Sequence, residues 1–361
     1  MPESGLRRRL GLERSVAALA AALLLFGFGQ ELWARYLPEY LRLFGASVFT
    51  VGLFGSLQDL LDAAYAYPGG WLSDRLGSRR ALLLFAAITT AGFASYLVSR
   101  SVAAIFAGAF LVAAWRSLAL PATFALIGEE LTGGRRLVGF TVQSVVKRIP
   151  VVLAPPLGGL LLERFGLREG MRLGFAVSVV LAIGMVAALG KAFRREGRDR
   201  GTLLSLSPRE RVGVRAALPR GEKEKKPLHP ALRRLLVADC LIRFCEGLPS
   251  IFLVLWALET VRISPFQFGA LQSILMGTAI LSYLPAAALS DRLERKPFVV
   301  ATFLFFTLFP LAVGLSSCFA HLAAAYVLGG LREIGEPARK ALSVDLAGEE
   351  GRGRAVGLYY A

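Results

Sequence analysis

Residues Ser47–Leu76 read SVFTVGLFGSLQDLLDAAYAYPGGWLSDRL, and 217 positions later Ser264–Leu293 read SPFQFGALQSILMGTAILSYLPAAALSDRL. Ten of the thirty aligned positions are identical without a gap. They include Ser47/Ser264, Phe49/Phe266, Gly52/Gly269, Ser56/Ser273 and Pro68/Pro285, and both copies close on Leu-Ser-Asp-Arg-Leu. A shift of 216 then pairs Arg116 with Arg332 and Pro121 with Pro337. Each copy holds an apolar stretch able to cross about 30 Å of hydrocarbon. Parallel repeats of such helices build membrane proteins with a site between two related halves.

Composition agrees. Of 361 residues, 55% are hydrophobic and only 19% charged, with mean hydropathy +0.56. That balance excludes a conventional cytosolic enzyme. Ten segments have the length and apolarity of membrane spans, near Ser15–Leu43, Phe49–Leu72, Ala81–Val98, Ser101–Ile127, Val138–Leu162, Leu173–Leu189, Leu235–Leu258, Phe266–Leu289, Pro297–Leu315 and Phe319–Leu342. The first is read as a retained span and not a signal peptide. Arg7, Arg8 and Arg9 precede it, but no small-residue cleavage site follows. The fold class is therefore an all-α polytopic bundle of two pseudo-symmetric halves. Residues 1-190 form the first half with six spans, and 191-234 a basic loop. Residues 235-361 form a partial second half with four spans and the start of an eleventh. By the repeat, the chain is expected to end two spans short of a complete second half.

The basic residues give an orientation. Thirty of the 42 Lys and Arg fall on the side of the amino terminus and central loop, and six (Arg42, Arg100, Arg164, Arg168, Arg172, Arg262) on the other. Positive charge accumulates inside, so the amino terminus is expected in the cytoplasm of a plasma or inner membrane. The central loop carries 14 basic and 5 acidic residues but only Phe193 among aromatics, so it reads as a linker touching anionic headgroups, with no nucleic-acid partner. Cys240, Cys245, Cys318, His229 and His321 are too few and scattered for a metal site or disulfide framework, and no cofactor is expected.

The loop after the second span reads Gly70-Trp-Leu-Ser-Asp74-Arg75-Leu-Gly77-Ser-Arg79-Arg80. It resembles the signature of the major facilitator superfamily, Gly-x-x-x-Asp-Arg-x-Gly-x-(Arg/Lys)-(Arg/Lys), in its expected place. The second copy keeps Asp291 and Arg292 but lacks both glycines. The glycines suit a tight turn and close helix approach. The resemblance implies that Asp74 faces the start of the eleventh helix and latches the outward-facing state. Asp291 would make the related contact with the fifth span. Ala154-Pro155-Pro-Leu-Gly158-Gly159 resembles the later part of the superfamily's antiporter motif, with Ala154 at the leading glycine. Pro155 and the paired glycines would kink and thin that helix whatever the substrate.

Thirteen ionisable residues within the spans are candidates for a cavity: Glu31, Arg35, Asp59, Asp62, Arg116, Lys147, Arg148, Asp239, Arg243, Glu246, Arg332, Glu333 and Glu336. Each costs about 2.5–3.5 kcal/mol at mid-membrane, so they must face one another or water. The third, sixth and ninth segments hold none, and the superfamily fold sets those helices outside its cavity. Helical spacing suggests Glu31 with Arg35, Asp239 with Arg243, Arg243 with Glu246, and Arg332 with Glu336. Arg116 is expected to meet Asp59 or Asp62 across helices. Lys147 and Arg148, without local partners, suit an anionic group. Glu31, Asp59 and Glu246 are candidates for a proton-coupling carboxylate. No nucleophile–base pair or ATP-binding loop appears, so an enzyme is not expected. The reading is a monomeric secondary transporter of a small molecule, proton-coupled and leaning towards export. The alternatives are import of an organic anion, or a non-transporting protein on the same scaffold.

Overall fold

The computed structural model describes residues 14–130, 134–203, 230–290, 295–336 and 339. Those residues form helices joined by short turns, with no strand among them. In the first half, α1 is Arg14–Glu31, a 3-10 turn Ala34–Tyr36, and Leu37–Leu43. Next come α2 (Val48–Leu76), α3 (Ser78–Val98) and α4, which runs from Val102–Ala113 through a π turn, Ala114–Leu118, into Ala119–Glu130. Gly134–Leu203 is a hairpin, α5 and α6, reversed at Gly166, whose φ of 76° is left-handed. In the second half, α7 is Pro230–Ser250 with Leu253–Leu255 and a π turn Trp256–Thr260. It is followed by α8 (Pro265–Ser290), α9 (Arg295–Gly314) and α10 (Phe319–Leu331), which ends in a 3-10 turn, Arg332–Gly335. Among the described residues, five stretches have the length and apolarity of a span by themselves, and α7 makes a sixth if its bent pieces count together. Asp291, Arg292, most of the central loop and the expected start of an eleventh helix lie outside the described residues.

The repeat has physical content. Its first identity is a helix cap: the Ser47 hydroxyl accepts from Thr50 N at 3.1 Å to start α2. At α8, Ser264 and Gln267 form a reciprocal capping box, Gln267 N to Ser264 Oγ at 3.2 Å and Ser264 N to Gln267 Oε1 at 2.9 Å. Just before each cap the chain turns through the left-handed region, at Gly45 (φ 82°) and, 217 positions later, at Arg262 (φ 59°). Both lead helices break at the same register. In α1, Pro38 cannot donate to Ala34 and its ring crowds that carbonyl, so the helix gives way to a 3-10 turn. In α7 the chain turns at Pro249–Phe252, and the following helix departs by 44°.

An aromatic cluster ties α1 to α3 and α6. Trp33 meets Phe93, Tyr96 and Phe175 edge-on at 5.1–5.8 Å between ring centres, and its Nε1 donates to Ser178 Oγ at 2.9 Å. Parts of α3, α6 and α9 carry exposed apolar side chains, such as Val98, Val180 and Leu304. The expectation that the three charge-free segments stand outside the cavities is corrected for α9, whose Phe306 and Leu311 line one, and for α3, whose Tyr96 lines another, because uncharged side chains wall an apolar cavity as well as they face lipid.

Candidate functional site

The halves meet most closely at the end bearing the α1–α2, α5–α6 and α7–α8 turns. Tyr36, fully buried on α1, directs its hydroxyl at the carbonyls of Pro155 on α5 (2.8 Å) and Pro265 on α8 (2.9 Å). The glycines of α5 divide the work. Gly158 faces α1 of its own half, where a methyl group would lie 2.8 Å from the Leu32 carbonyl carbon. Gly159 faces the other half, where a methyl would lie 2.6 Å from Phe266 Cα. Gly269 reciprocates from α8, 2.6 Å from the Pro155 carbonyl carbon. The α5 backbone keeps helical φ/ψ through Pro150, Pro155 and Pro156, so this stretch acts by thinness. Glu163 adds a contact across the halves, accepting from Phe266 N at the start of α8 at 3.1 Å.

Below this clasp lie three cavities. One of about 530 Å³, mostly apolar, lies among α1, α7, α8, α9 and α10, with Glu246, Gln272, Tyr326 and Arg332 on its wall. One of about 580 Å³ runs between α2 and α7 past Asp59. A smaller polar one, about 250 Å³, is lined by Gln30, Glu31, Gln58, Tyr96 and Arg116. Arg35 lines all three. It can do so because it sits on the α1 break, and it holds Glu31 at 3.2 Å. The signal that marks this spot in the sequence is Pro38.

Arg116 lies in the π turn of α4, and its Nε reaches Asp62 Oδ1 on α2 at 2.9 Å, while Ser117 donates to the same oxygen. The widened turn lets consecutive side chains converge on one carboxylate. The expected pairing of Arg332 with Glu336 is corrected. Arg332 reaches Glu246 on α7 at 2.7 Å, because a 3-10 turn begins at Arg332 and breaks the α-helical register between them. Glu336 instead accepts from Arg339, which also bonds Asp239 at 2.8 Å. Arg339 is 1% exposed, and sequence reasoning missed it by counting it with the cytoplasmic charges. The Arg243 side chain, and with it both pairs proposed through it, lies outside the described residues. Arg148 stacks on the Tyr283 ring at 5.4 Å, and neither it nor Lys147 lines these cavities.

The loop motif is partly revised. Gly77 caps α2 at φ 80°, with nothing within 4 Å of a methyl placed there, so its backbone angle demands glycine. Close helix approach occurs not at Gly70 but at Gly69, where a methyl would lie 2.7 Å from Leu118 Cα. Arg75 stacks on Trp71 at 4.1 Å, and Arg79 lies 5.7 Å from the Phe193 ring on α6. Asp74 is exposed, and Arg80 with it; the partner expected for Asp74 lies outside the described residues.

The family model described as Major Facilitator Superfamily matches residues 19–239 and 235–361. The chain belongs to the major facilitator superfamily. Solved structures agree on the fold. A mutant of the peptide transporter POT in complex with sulfate matches at TM-score 0.72 and 18% identity, over 97% of this chain and 86% of that one. A bacterial homolog of the human lysosomal transporter Spinster, inward-facing and unoccupied, matches at TM-score 0.71 and 14% identity, over 96% of this chain and 78% of that one. A POT family transporter in complex with 5-aminolevulinic acid matches at TM-score 0.66 and 14% identity, over 97% and 87%. No curated protein matches the sequence. Membership makes this an integral membrane protein of a transporter family, and supports a secondary transporter rather than an enzyme.

Proposed function

We propose that this superfamily member moves a small molecule by alternating access, coupled to protons and leaning towards export. The observation that supports it is the position of Arg35, on a broken helix where it lines two cavities between the halves and a third within the first half. Arg35 is thus placed to meet a substrate held in any of them. The clasp around Tyr36 lies at the end away from the central loop. With the amino terminus cytoplasmic, as the basic residues indicate, this conformer faces inward.

Asp59 is the leading coupling carboxylate. Glu31 and Glu246 are each engaged by an arginine, whereas Asp59 borders a cavity without an ion pair among the described residues. A carboxyl in that position can release or accept a proton as the cavity changes access. The test is a substrate panel in proteoliposomes carrying an internal pH dye, at two proton gradients. At least one compound should drive proton flux that Arg35→Gln and Asp59→Asn abolish. Unchanged pH dependence in Glu31→Gln, Asp59→Asn and Glu246→Gln together would sink the coupling. Import of an organic anion is the second reading, favoured by Arg35 and Arg332 sharing the largely apolar cavity. Net accumulation with the gradient inward would select it.

A further inference from the structure

Only six basic residues lie on the rim away from the central loop. Three of them converge. Arg100, just past the end of α3, and Arg168 and Arg172, on the first turns of α6, line one cavity of about 480 Å³ together with Tyr40, Phe44 and Val98. None is explained by topology, since positive charge is disfavoured at this end. Nor does helix stability explain Arg168 and Arg172. They stand at the amino-terminal end of α6, where the helix dipole favours anions and opposes cations.

Local carboxylates account for only part of the charge. Arg172 pairs with Glu169 at 3.6 Å, while Arg100 and Arg168 have no ion pair among the described residues. The cavity opens between the end of α3 and the start of α6. Its lip is apolar, with Val98 73% exposed beside Arg100. An arginine fork matches phosphate oxygens bidentately, the start of α6 favours the same charge, and the apolar lip suits an acyl chain. None of the three arginines lines the cavities beside Arg35.

We infer that Arg100, Arg168 and Arg172 form a binding site for the phosphate group of an anionic membrane lipid, in the leaflet at the clasped end. Inorganic phosphate shares the headgroup's chemistry but lacks the chain that the lip would hold.

The test uses the whole protein in nanodiscs of phosphatidylcholine, alone or with increasing phosphatidylglycerol, reading thermal unfolding and the number of retained lipids by native mass spectrometry. Phosphatidylglycerol should raise the Tm and stay bound. Its apparent affinity should fall about fivefold for each arginine removed, as expected for a basic residue at an anionic surface. The triple variant Arg100→Gln, Arg168→Gln, Arg172→Gln should lose nearly all of the effect, and Arg164→Gln, on the same rim, none. Arg168→Gln alone, a single exposed change, repeats the test at fivefold. The Tm in pure phosphatidylcholine controls for folding. An undiminished lipid effect in the triple variant, or an equal loss from Arg164→Gln, overturns the site. The same stabilisation by millimolar inorganic phosphate in phosphatidylcholine overturns the lipid as its occupant.

Discussion

Replacing Gly159 by alanine should move the protein between its conformations without unfolding it. The added methyl would sit 2.6 Å from Phe266 Cα and from the Pro265 carbonyl carbon on α8. Ordinary carbon–carbon contact is about 3.5–4.0 Å, so α5 and α8 must separate by roughly 1 Å at the clasp. Both obstacles are backbone atoms, and no rotamer change relieves them. Such overpacking costs about 1–3 kcal/mol. The cost falls only on the conformer closed at this end, because the two helices belong to different halves. A conformer with the halves apart there escapes it. The equilibrium should shift about 5- to 150-fold towards opening. Gly269→Ala, which presses the same interface from the other side, should do the same. Gly158→Ala is the internal control. Its methyl meets Leu32 of its own half, a contact kept in every conformer, so it should lower the Tm and leave the equilibrium alone. Spin labels at Val48 and Thr260, in a cysteine-free background, report the separation at this end by pulsed electron resonance. A longer-distance population should grow in Gly159→Ala and Gly269→Ala. A folded Gly159→Ala protein with the parent's distance distribution, or the same shift from Gly158→Ala, refutes the reasoning.

Tyr36→Phe removes one hydroxyl shared by two carbonyls across the halves, worth about 0.5–1.5 kcal/mol. The same labels should show a smaller shift in the same direction. Gly69→Ala should cost more stability than Gly70→Ala, although Gly70 is the motif residue, because a methyl at Gly70 meets only Pro121 at an ordinary 3.9 Å. Thermal unfolding of both in one detergent ranks them, and the opposite order would put the close approach elsewhere. Asp62→Asn and Arg116→Gln should each destabilise, and the double variant less than their sum. The coupling should be about 0.5–3 kcal/mol, and a cycle that closes at zero means that the 2.9 Å pair is energetically idle.

Much of this could be read in advance, for identifiable reasons. Spans follow from length and apolarity. Lack of charge was a weaker guide, since charge-free α9 and α3 both line cavities. The 217-residue shift pairs Ser47 with Ser264, the two helix caps, whereas the left-handed turns at Gly45 and Arg262 and the breaks in α1 and α7 repeat in the backbone without a shared residue type. Partners were less legible. Arg116 has a neighbouring helix with acids one turn apart, and only packing chooses Asp62. Arg332 stands at the equivalent position, yet its helix tightens into a 3-10 turn where that of Arg116 widens into a π turn, and the two arginines find different helices. Arg339 was hidden by its place near a span end, where a charge reads as solvated. Tyr36 reads as an interfacial aromatic until its hydroxyl is seen between two proline carbonyls. Added to the thirteen charges singled out in the sequence, Arg339 makes seven of each sign among them.

That balance gives weight to the breaks in α1 and α7. An intact helix consumes its own carbonyl oxygens, whereas one interrupted mid-span leaves some of them unmatched beside the cavity. The breaks also bring Arg35 and Ser250, one from each half, to the walls of the same two cavities. Any backbone oxygen freed there is an acceptor that no substitution of a side chain can delete. A cargo rich in N–H or O–H groups could be held there without carrying any charge. A screen for substrates should therefore include neutral polar compounds beside ionic ones.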